Sequence, residues 1–232
     1  MTVQTAKAAI KHLIALIFYY SGLFFIVRRY YLKVHPDGLI VLLYHRVTEP
    51  EGLGGSMPEM AVCPDMFSRQ MSHLKKYYNV VSLQEAMDKA PENRDIRVLV
   101  TFDDGWRDNY TKAFPVLRSL NLPALIFLTA GYIGTTHLFW PEQFAVYVTA
   151  LLEEDAMTLK ELSALIRREV QQDASIDTNT ADSPQAWLKS SIAALKELTP
   201  DQIQVILDQL SQKCREHRIE IDQERSLMNW DE

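Results

Sequence analysis

The chain has few of the residues that define several protein classes, and each scarcity excludes one class. Only two cysteines occur in 232 residues, with no Cys-x-x-Cys pair, which excludes a disulfide scaffold and leaves the redox compartment open. Eight glycines are too few for collagen-like repeats. A net charge of −6 provides no basic surplus for neutralising phosphates, so we expect no nucleic-acid partner. The 47% hydrophobic content is instead typical of a chain that buries a core.

A hydrophobic run long enough to span a bilayer is also missing. The uncharged stretch from Leu13 to Val27 has 15 residues, whereas a spanning helix needs roughly 20. Arg28 and Arg29 follow it where a signal peptide would have small residues, so we expect no cleavable signal peptide. Residues 1–36 carry five basic residues and no acidic one. We predict an N-terminal apolar helix in 1–36 that contacts a membrane surface through 8–33, lying in the interface; a helix packed against the domain is the alternative.

Residues 37–140 alternate between strand and helix patterns. Continuous apolar runs predict buried strands, and apolar residues spaced three and four apart predict helices between them. This alternation is typical of a parallel α/β sheet or barrel. The predicted strands are Leu39–Tyr44, Val98–Phe102 and Ala124–Thr129, and the predicted helices begin at Pro64, follow Ser82 and cover 109–120.

Residues 141–232 have a different, mostly helical pattern. Thr158 precedes Glu161 by three residues, as Ser82 precedes Glu85, and this spacing predicts a capped helix start at both positions. Thr199-Pro200 predicts another helix start, with proline at the first helical position. The polar segment 173–184 is predicted to be a linker between helices. We therefore divide the chain into 1–36, 37–140 and 141–232.

Two neighbouring carboxylates, Asp103 and Asp104, follow the second predicted strand directly. The ends of parallel strands are where α/β proteins build their sites, and Gly105 allows a sharp turn that would direct both carboxylates to one centre. Adjacent buried carboxylates need a cation or a shared proton. One carboxylate on a metal and the other on a water would prepare a hydrolytic nucleophile, although an Asp-Asp-Gly sequence alone is more often a solvated turn.

The wider sequence context favours chemistry at this position. The segment from Thr101 to Tyr110 reads TFDDGWRDNY, and the first predicted strand ends in Tyr44-His45-Arg46-Val47. Together with the third strand, these motifs resemble the polysaccharide deacetylase family, the NodB-homology carbohydrate esterases, over residues 38–136. The helical insertion that follows Phe139-Trp140 resembles one in a subset of bacterial members.

The resemblance implies the front part of a distorted (β/α)7-type barrel and metal-dependent removal of N-acetyl or O-acetyl groups from a glycan. By motif position, Asp103 would be the general base, and Asp104 would bind a divalent metal, usually zinc. His45 is either a site-lining residue or a structural histidine. The implied partner is an acetylated polysaccharide or a lipid-linked glycan, and we expect a membrane-associated bacterial protein, with the side of the membrane left open.

The second family motif, two metal-binding histidines four residues apart on a helix, has no counterpart here. No two of the six histidines are three or four residues apart. Later family motifs are absent too, and the ending at Trp230-Asp231-Glu232 resembles the segment that precedes the paired histidines. We therefore expect this chain to be an incomplete, inactive part of a deacetylase. A non-catalytic, membrane-apposed glycan-binding protein of the same fold is the alternative.

A third interpretation comes from another class of enzyme. Asp103, Asp104 and Asp108 are similar to the aspartate-rich Mg²⁺ sites of isoprenyl-diphosphate enzymes, which need acids four residues apart on one helix face. Here Arg107 occupies the position of the required aspartate, and the acids follow a strand instead of lying on a helix. This interpretation is the weakest of the three.

Overall fold

A computed structural model describes residues 3–35, 38–49, 60–88, 96–169, 183–221 and 225–232. It combines a small parallel sheet with many helices. The helices are α1 (Val3–Tyr20), α2 (Leu23–Val34), α3 (Pro64–Tyr77), α4 (Leu83–Met87), α5 (Phe114–Leu120), α6 (Trp140–Glu153), α7 (Leu159–Glu169), α8 (Pro184–Leu195) and α9 (Pro200–Glu216), and a π-helical turn covers Asn109–Ala113. The strands are β1 (Leu39–Tyr44), β2 (Arg46–Val47), β3 (Ala61–Val62), β4 (Asn79–Val80), β5 (Arg97–Phe102) and β6 (Leu125–Ile126).

The main sheet is organised around β5, as a strand buried on both faces should be. All six residues of β5 are buried. The strand order is β1-β5-β4, and β6 also pairs with β5. Strand β4 runs parallel to β5, with Asn79 opposite Arg97. A second, two-stranded sheet pairs β2 with β3 in parallel. The predicted parallel α/β arrangement is confirmed, but among the described residues the sheet does not close into a barrel.

The predicted third strand is shorter than its apolar run suggested. The run covers Ala124–Thr129, but only Leu125–Ile126 form a strand. The N–H of Phe127 still donates to the carbonyl of Phe102 at 2.8 Å. Beyond Phe102 the partner strand turns sharply, because Asp104 and Gly105 both adopt left-handed conformations. Strand β6 therefore has no regular strand partner beyond Phe102, and the prediction of a six-residue strand is wrong.

The apolar N-terminal segment forms two helices, where the sequence predicted one. Helix α1 ends at Tyr20, and Gly22, with φ of 72°, precedes α2. A left-handed residue interrupts helical hydrogen bonding, and glycine adopts that conformation without a Cβ penalty. No described helix is both long and apolar enough to cross a membrane.

The chain divides into two compact units. The first contains Met1–Leu43, Arg69–Thr101 and Leu117–Leu125, and the second contains Tyr44–Ser68, Phe102–Val116 and Ile126–Glu232. Within the first unit, the backbone of β1 is tied to β5 by the Thr101 hydroxyl, which donates to the carbonyl of Leu42 at 3.2 Å. The guanidinium of Arg97 donates to the carbonyls of Glu85 and Asp88 and so fixes the end of α4.

Helices α6 to α9 form the core of the second unit. Their apolar faces are buried, with Leu162, Ile166, Trp187 and Ile206 almost fully enclosed. The predicted caps at Ser82 and Thr158 are both present. Helix α9 begins at Pro200, as predicted, and Thr199 also forms a capping box with Gln202. The predicted linker 173–184 lies outside the described residues except at its end, where Ser183 caps α8 and Pro184 begins it. Ser183 and Pro184 therefore belong to the start of α8 and not to the linker.

Candidate active site

The candidate site lies entirely within the second unit, where β1 and β5 end. The N–H of Asp103 donates to the carbonyl of Tyr44 at 2.9 Å, which holds the ends of the two strands side by side. Consequently His45 and Asp103 face each other, with His45 Nε2 4.0 Å from Asp103 Oδ2. Their side chains are 28% and 33% exposed, so both are open to solvent. The structure brings these two predicted site residues together.

Tyr44 and two phenylalanines pack beneath this pair. The Tyr44 ring stacks on Phe102 with centroids 5.6 Å apart and meets Phe67 edge-on at 5.3 Å. Phe67 and Phe102 are almost fully buried. Burial also raises the pKa of the Tyr44 hydroxyl above its ordinary value. These rings give the two polar residues a rigid apolar support.

Asp104 lies in a strained backbone conformation on the other side of Asp103. Its φ is 72°, which is uncommon for a residue other than glycine, and Gly105 follows with φ of 78°. Strain of this kind persists only where the surroundings enforce it, and it concentrates at functional sites. Here the side-chain N–H of Trp106, at Nε1, donates to Asp104 Oδ2 at 3.1 Å. The Asp104 carboxylate is therefore held by a buried indole.

Gly105 has no room for a side chain. A Cβ at this position would lie 2.8 Å from Leu128 Cδ2 and 3.0 Å from Ile133 Cδ1. The backbone of Gly105 also accepts a hydrogen bond from the N–H of Met228 at 2.9 Å. The turn that carries both carboxylates is thus packed from two directions.

Asp108 is a buried acid whose role the sequence did not indicate. Its Oδ2 accepts from Arg46 Nε at 2.8 Å, and its Oδ1 accepts from the N–H of Val47 at 2.9 Å. The Arg46 guanidinium also lies over the Trp106 ring, 4.5 Å from the centroid. Asp108 therefore ties the residues that follow His45 to the loop that carries Asp104. No local pattern marks this ion pair, because Arg46 and Asp108 lie 62 residues apart in the sequence.

The segment 225–232 closes the outer side of the same loop. Trp106 forms an antiparallel bridge with Leu227, and the N–H of Arg107 donates to the carbonyl of Ser226 at 2.8 Å. Glu232 accepts from both Arg225 and Arg107, and the hydrogen bonds from Arg225 lower its pKa to about 2. Sequence reasoning did not assign this contact.

Glu142 is a second buried acid near the site that sequence reasoning missed. It lies in the first turn of α6, is 7% exposed, and its Oε2 has no hydrogen-bond partner among the described residues. Burial raises the pKa of Glu142 to about 7, and the negative charge of Asp104 adds to this shift while Arg46 opposes it. The carboxyl is therefore close to half-protonated at neutral pH.

The donor set in this region does not match the needs of a zinc ion. Catalytic zinc needs three protein ligands and an open position. Among the residues that the structure describes, no group of three His, Cys, Asp or Glu side chains is close enough to hold a metal. One carboxylate oxygen of Asp104, the predicted ligand, accepts a hydrogen bond from the Trp106 indole. The nearby Asp103 and His45 pair with each other. These residues alone do not fit a complete zinc site.

A family model and a curated relative both relate this chain to polysaccharide deacetylases. The family model for polysaccharide deacetylase matches residues 90–218. YxkH of Bacillus subtilis (strain 168), whose name assigns it provisionally to the polysaccharide deacetylases, is 33% identical over 114 residues, which cover 47% of this chain and 38% of YxkH.

Solved structures also match over part of their length. IcaB from Ammonifex degensii is 32% identical over 47% of this chain and 48% of its own, with a TM-score of 0.37. The deacetylase PplD of Streptococcus pyogenes, solved in complex with acetate, is 20% identical over 75% and 80% of the two chains, with a TM-score of 0.31. The matches to YxkH and IcaB span less than half the length of those proteins.

Proposed function

The chain belongs to the polysaccharide deacetylase family, and from this premise we propose that it supplies part of a site that removes acetyl groups from a glycan. The observation that carries the proposal is the pairing of Asp103 and His45 where two adjacent strands end, with Asp104 fixed beside them. The implied substrate class is an acetylated polysaccharide, N-acetylated or O-acetylated.

Asp103 is the residue we assign to proton transfer. Its carboxylate is one-third exposed, so a water and an acetyl group can reach it, and a general base must lie within hydrogen-bond reach of the proton it takes. His45 Nε2, at 4.0 Å, is near enough to share or stabilise charge on Asp103 after a small movement. We therefore assign His45 as a site-lining residue instead of a structural histidine.

A divalent metal, zinc by family type, would polarise the acetyl carbonyl and activate water when bound. Asp104 is the one residue of this chain that we assign to that metal. The described residues do not by themselves form a complete metal site. We propose that activity requires further ligands and that this chain alone is inactive. We also propose, from family membership, that the chain forms the front part of a distorted (β/α)7-type barrel.

A non-catalytic glycan-binding protein is the second candidate. The absence of a three-ligand cluster among the described residues favours it, while the solvent-open Asp103 and His45 could still bind sugar hydroxyls. In this case the chain would bind N-acetylglucosamine oligomers, and Asp103→Asn would weaken that binding without any acetate being released.

Two measurements separate these candidates. The first is the reading frame downstream of the Glu232 codon: a His-x-x-x-His stretch there supports the deacetylase, and its absence supports the binding protein. The second is acetate release from an N-acetylglucosamine oligomer by a chain that includes such a stretch. We expect Asp103→Asn to reduce release at least 100-fold, and Asp208→Asn, an exposed acid on α9, to leave it unchanged. Near-normal release by Asp103→Asn would remove Asp103 as the base.

We also propose that α1 and α2 place the protein on a membrane surface. Many apolar side chains of these helices are exposed, including Phe25 at 66% and Ile26 at 63%, and residues 1–36 carry a charge of +5. Exposed apolar side chains beside basic ones are typical of helices that lie in the headgroup region. Deleting residues 1–33 should move the protein from the membrane fraction to the soluble fraction. Full-length protein that is soluble in low salt without detergent would contradict this proposal.

A further inference from the structure

A groove lies beside the N-terminal helices, within the first compact unit, and none of its described lining residues belongs to the candidate active site. Its volume is about 730 Å³, which falls in the range of roughly 300–1,000 Å³ usual for small-molecule sites. Its lining includes Ala15 and Phe18 of α1, Phe25 of α2, and Tyr77 and Tyr78 at the end of α3. Because these side chains are apolar or aromatic, the interior suits hydrocarbon.

The polar side chains of this groove are basic or neutral. Arg28 and His73 are part of its lining, and no acidic residue is among the described residues that line it. The His73 ring lies 4.7 Å from that of Tyr77, and the ammonium of Lys76 lies 5.0 Å from the Tyr77 centroid. Among the described lining residues Arg28 is the one cation, and a cation beside an apolar interior complements a molecule with a hydrocarbon chain and a negatively charged head.

We propose that this groove binds one acyl chain of an anionic phospholipid, with the lipid phosphate at Arg28. The proposal is independent of deacetylation, and it goes beyond surface contact because it assigns a particular lipid to a particular cavity. Exposed apolar side chains elsewhere on α1 and α2 would enter the headgroup region without selecting a lipid, whereas the groove selects for both chain and charge.

The groove can be filled without removing any apolar surface. Apart from Gly22, Ala15 is the smallest of the described lining residues, so Ala15→Trp occupies the space where the acyl chain would lie. Ile14, half-exposed on the same helix and outside the groove lining, gives the matched control Ile14→Trp. Arg28 has a similar matched control in its neighbour Arg29, which is exposed and outside the lining. Arg28→Gln and Arg29→Gln remove the same charge from the same helix.

The experiment is calorimetric titration of the full chain with short-chain phosphatidylglycerol below its micelle concentration. We expect saturable one-to-one binding that strengthens roughly fourfold for each added methylene that enters the groove. Ala15→Trp and Arg28→Gln should each weaken binding about tenfold, and Arg28→Gln should remove the preference over phosphatidylcholine. Ile14→Trp and Arg29→Gln should stay within twofold of wild type. Circular dichroism of all four variants checks that they fold.

Two results would overturn the proposal. One is equal weakening by the paired variants, Arg28→Gln with Arg29→Gln or Ala15→Trp with Ile14→Trp, because the effect would then be unspecific. The other is equal affinity for phosphatidylcholine and phosphatidylglycerol. Sedimentation with phosphatidylglycerol vesicles separates this proposal from the membrane-surface proposal. If the protein binds monomeric lipid but does not sediment with vesicles, the groove proposal holds and the membrane-surface proposal is wrong. Neither measurement depends on acetate release.

Discussion

The indole N–H of Trp106 donates to a carboxylate oxygen of Asp104 at 3.1 Å, so a residue buried to 99% holds the acid that we assign to the metal. The face of the same indole carries the guanidinium of Arg46. Trp106 therefore links the turn after β5 to the residues after β1. A hydrogen bond from a rigid aromatic group fixes the direction of the carboxylate before any ligand arrives, which is how a site is preorganised.

Asp108→Asn should destabilise the protein strongly. The change removes a charge that pairs with Arg46 at 2.8 Å, and both side chains are at least 88% buried. Removing the charge of one member of a buried ion pair costs roughly 2–4 kcal/mol. Urea denaturation measures the loss. Asp208→Asn on the exposed surface of α9 is the control and should change the free energy of unfolding by less than about 0.5 kcal/mol.

Gly105→Ala should also destabilise the protein, whereas Gly131→Ala should not. Alanine at 105 would have an unfavourable positive φ and a Cβ 2.8 Å from Leu128, at a cost of roughly 2 kcal/mol. At Gly131 no atom lies within 4 Å of the added Cβ and the φ is not positive, so the effect should stay within about 0.5 kcal/mol. Equal melting temperatures for the two variants would show that the turn relaxes freely.

The free energy of unfolding should fall as pH rises from about 4.5 to about 7 because of Glu142. Burial raises the folded-state pKa of Glu142 to about 7, so in this window the folded state binds more protons than the unfolded state, and stability decreases with pH. The full effect is on the order of 3 kcal/mol. Glu142→Gln should flatten this dependence, and exposed Glu197→Gln should keep it. An unchanged pH profile in the Glu142→Gln variant would locate the titration elsewhere.

Zinc should bind weakly to the chain as it stands. Only Asp104 is assigned to the metal, and the described residues provide no three-ligand group. After equilibration with zinc and gel filtration, elemental analysis should find well below one zinc per chain, and Asp104→Ala should lower that content little. One tightly held zinc per chain would reveal ligands outside this assignment, and its loss in a His45→Ala variant would identify one of them.

Local signals predicted much of the fold. The capping sequence at Ser82 specifies hydrogen bonds between residues three apart, and the proline after Thr199 suits the first position of a helix. Both helices begin where these signals predicted. The mostly apolar run of β5 predicted burial on both faces. The broken N-terminal helix was harder to predict, because Gly22 alone costs a helix only about 1 kcal/mol and does not by itself require a break.

The site could be predicted only where it depends on strand ends. His45 and Asp103 follow adjacent strands, so their proximity follows from the sheet. The contacts of Trp106 with Leu227 join segments more than 100 residues apart, and no local pattern encodes them. Glu142 did leave a signal, since it lies three residues before Ala145 on the face of α6 that is buried. A single acid on an otherwise apolar helix face indicates a buried carboxyl.

The left-handed backbone at Asp104, with φ of 72°, has a consequence for how sequences of this kind are compared. Apart from glycine, aspartate and asparagine tolerate this conformation best among the common residues. Glutamate would keep the charge but lose that tolerance, while asparagine would keep the tolerance and lose the charge. A scoring scheme that treats aspartate-to-glutamate as the mildest change therefore ranks the two replacements in the wrong order for folding at this position.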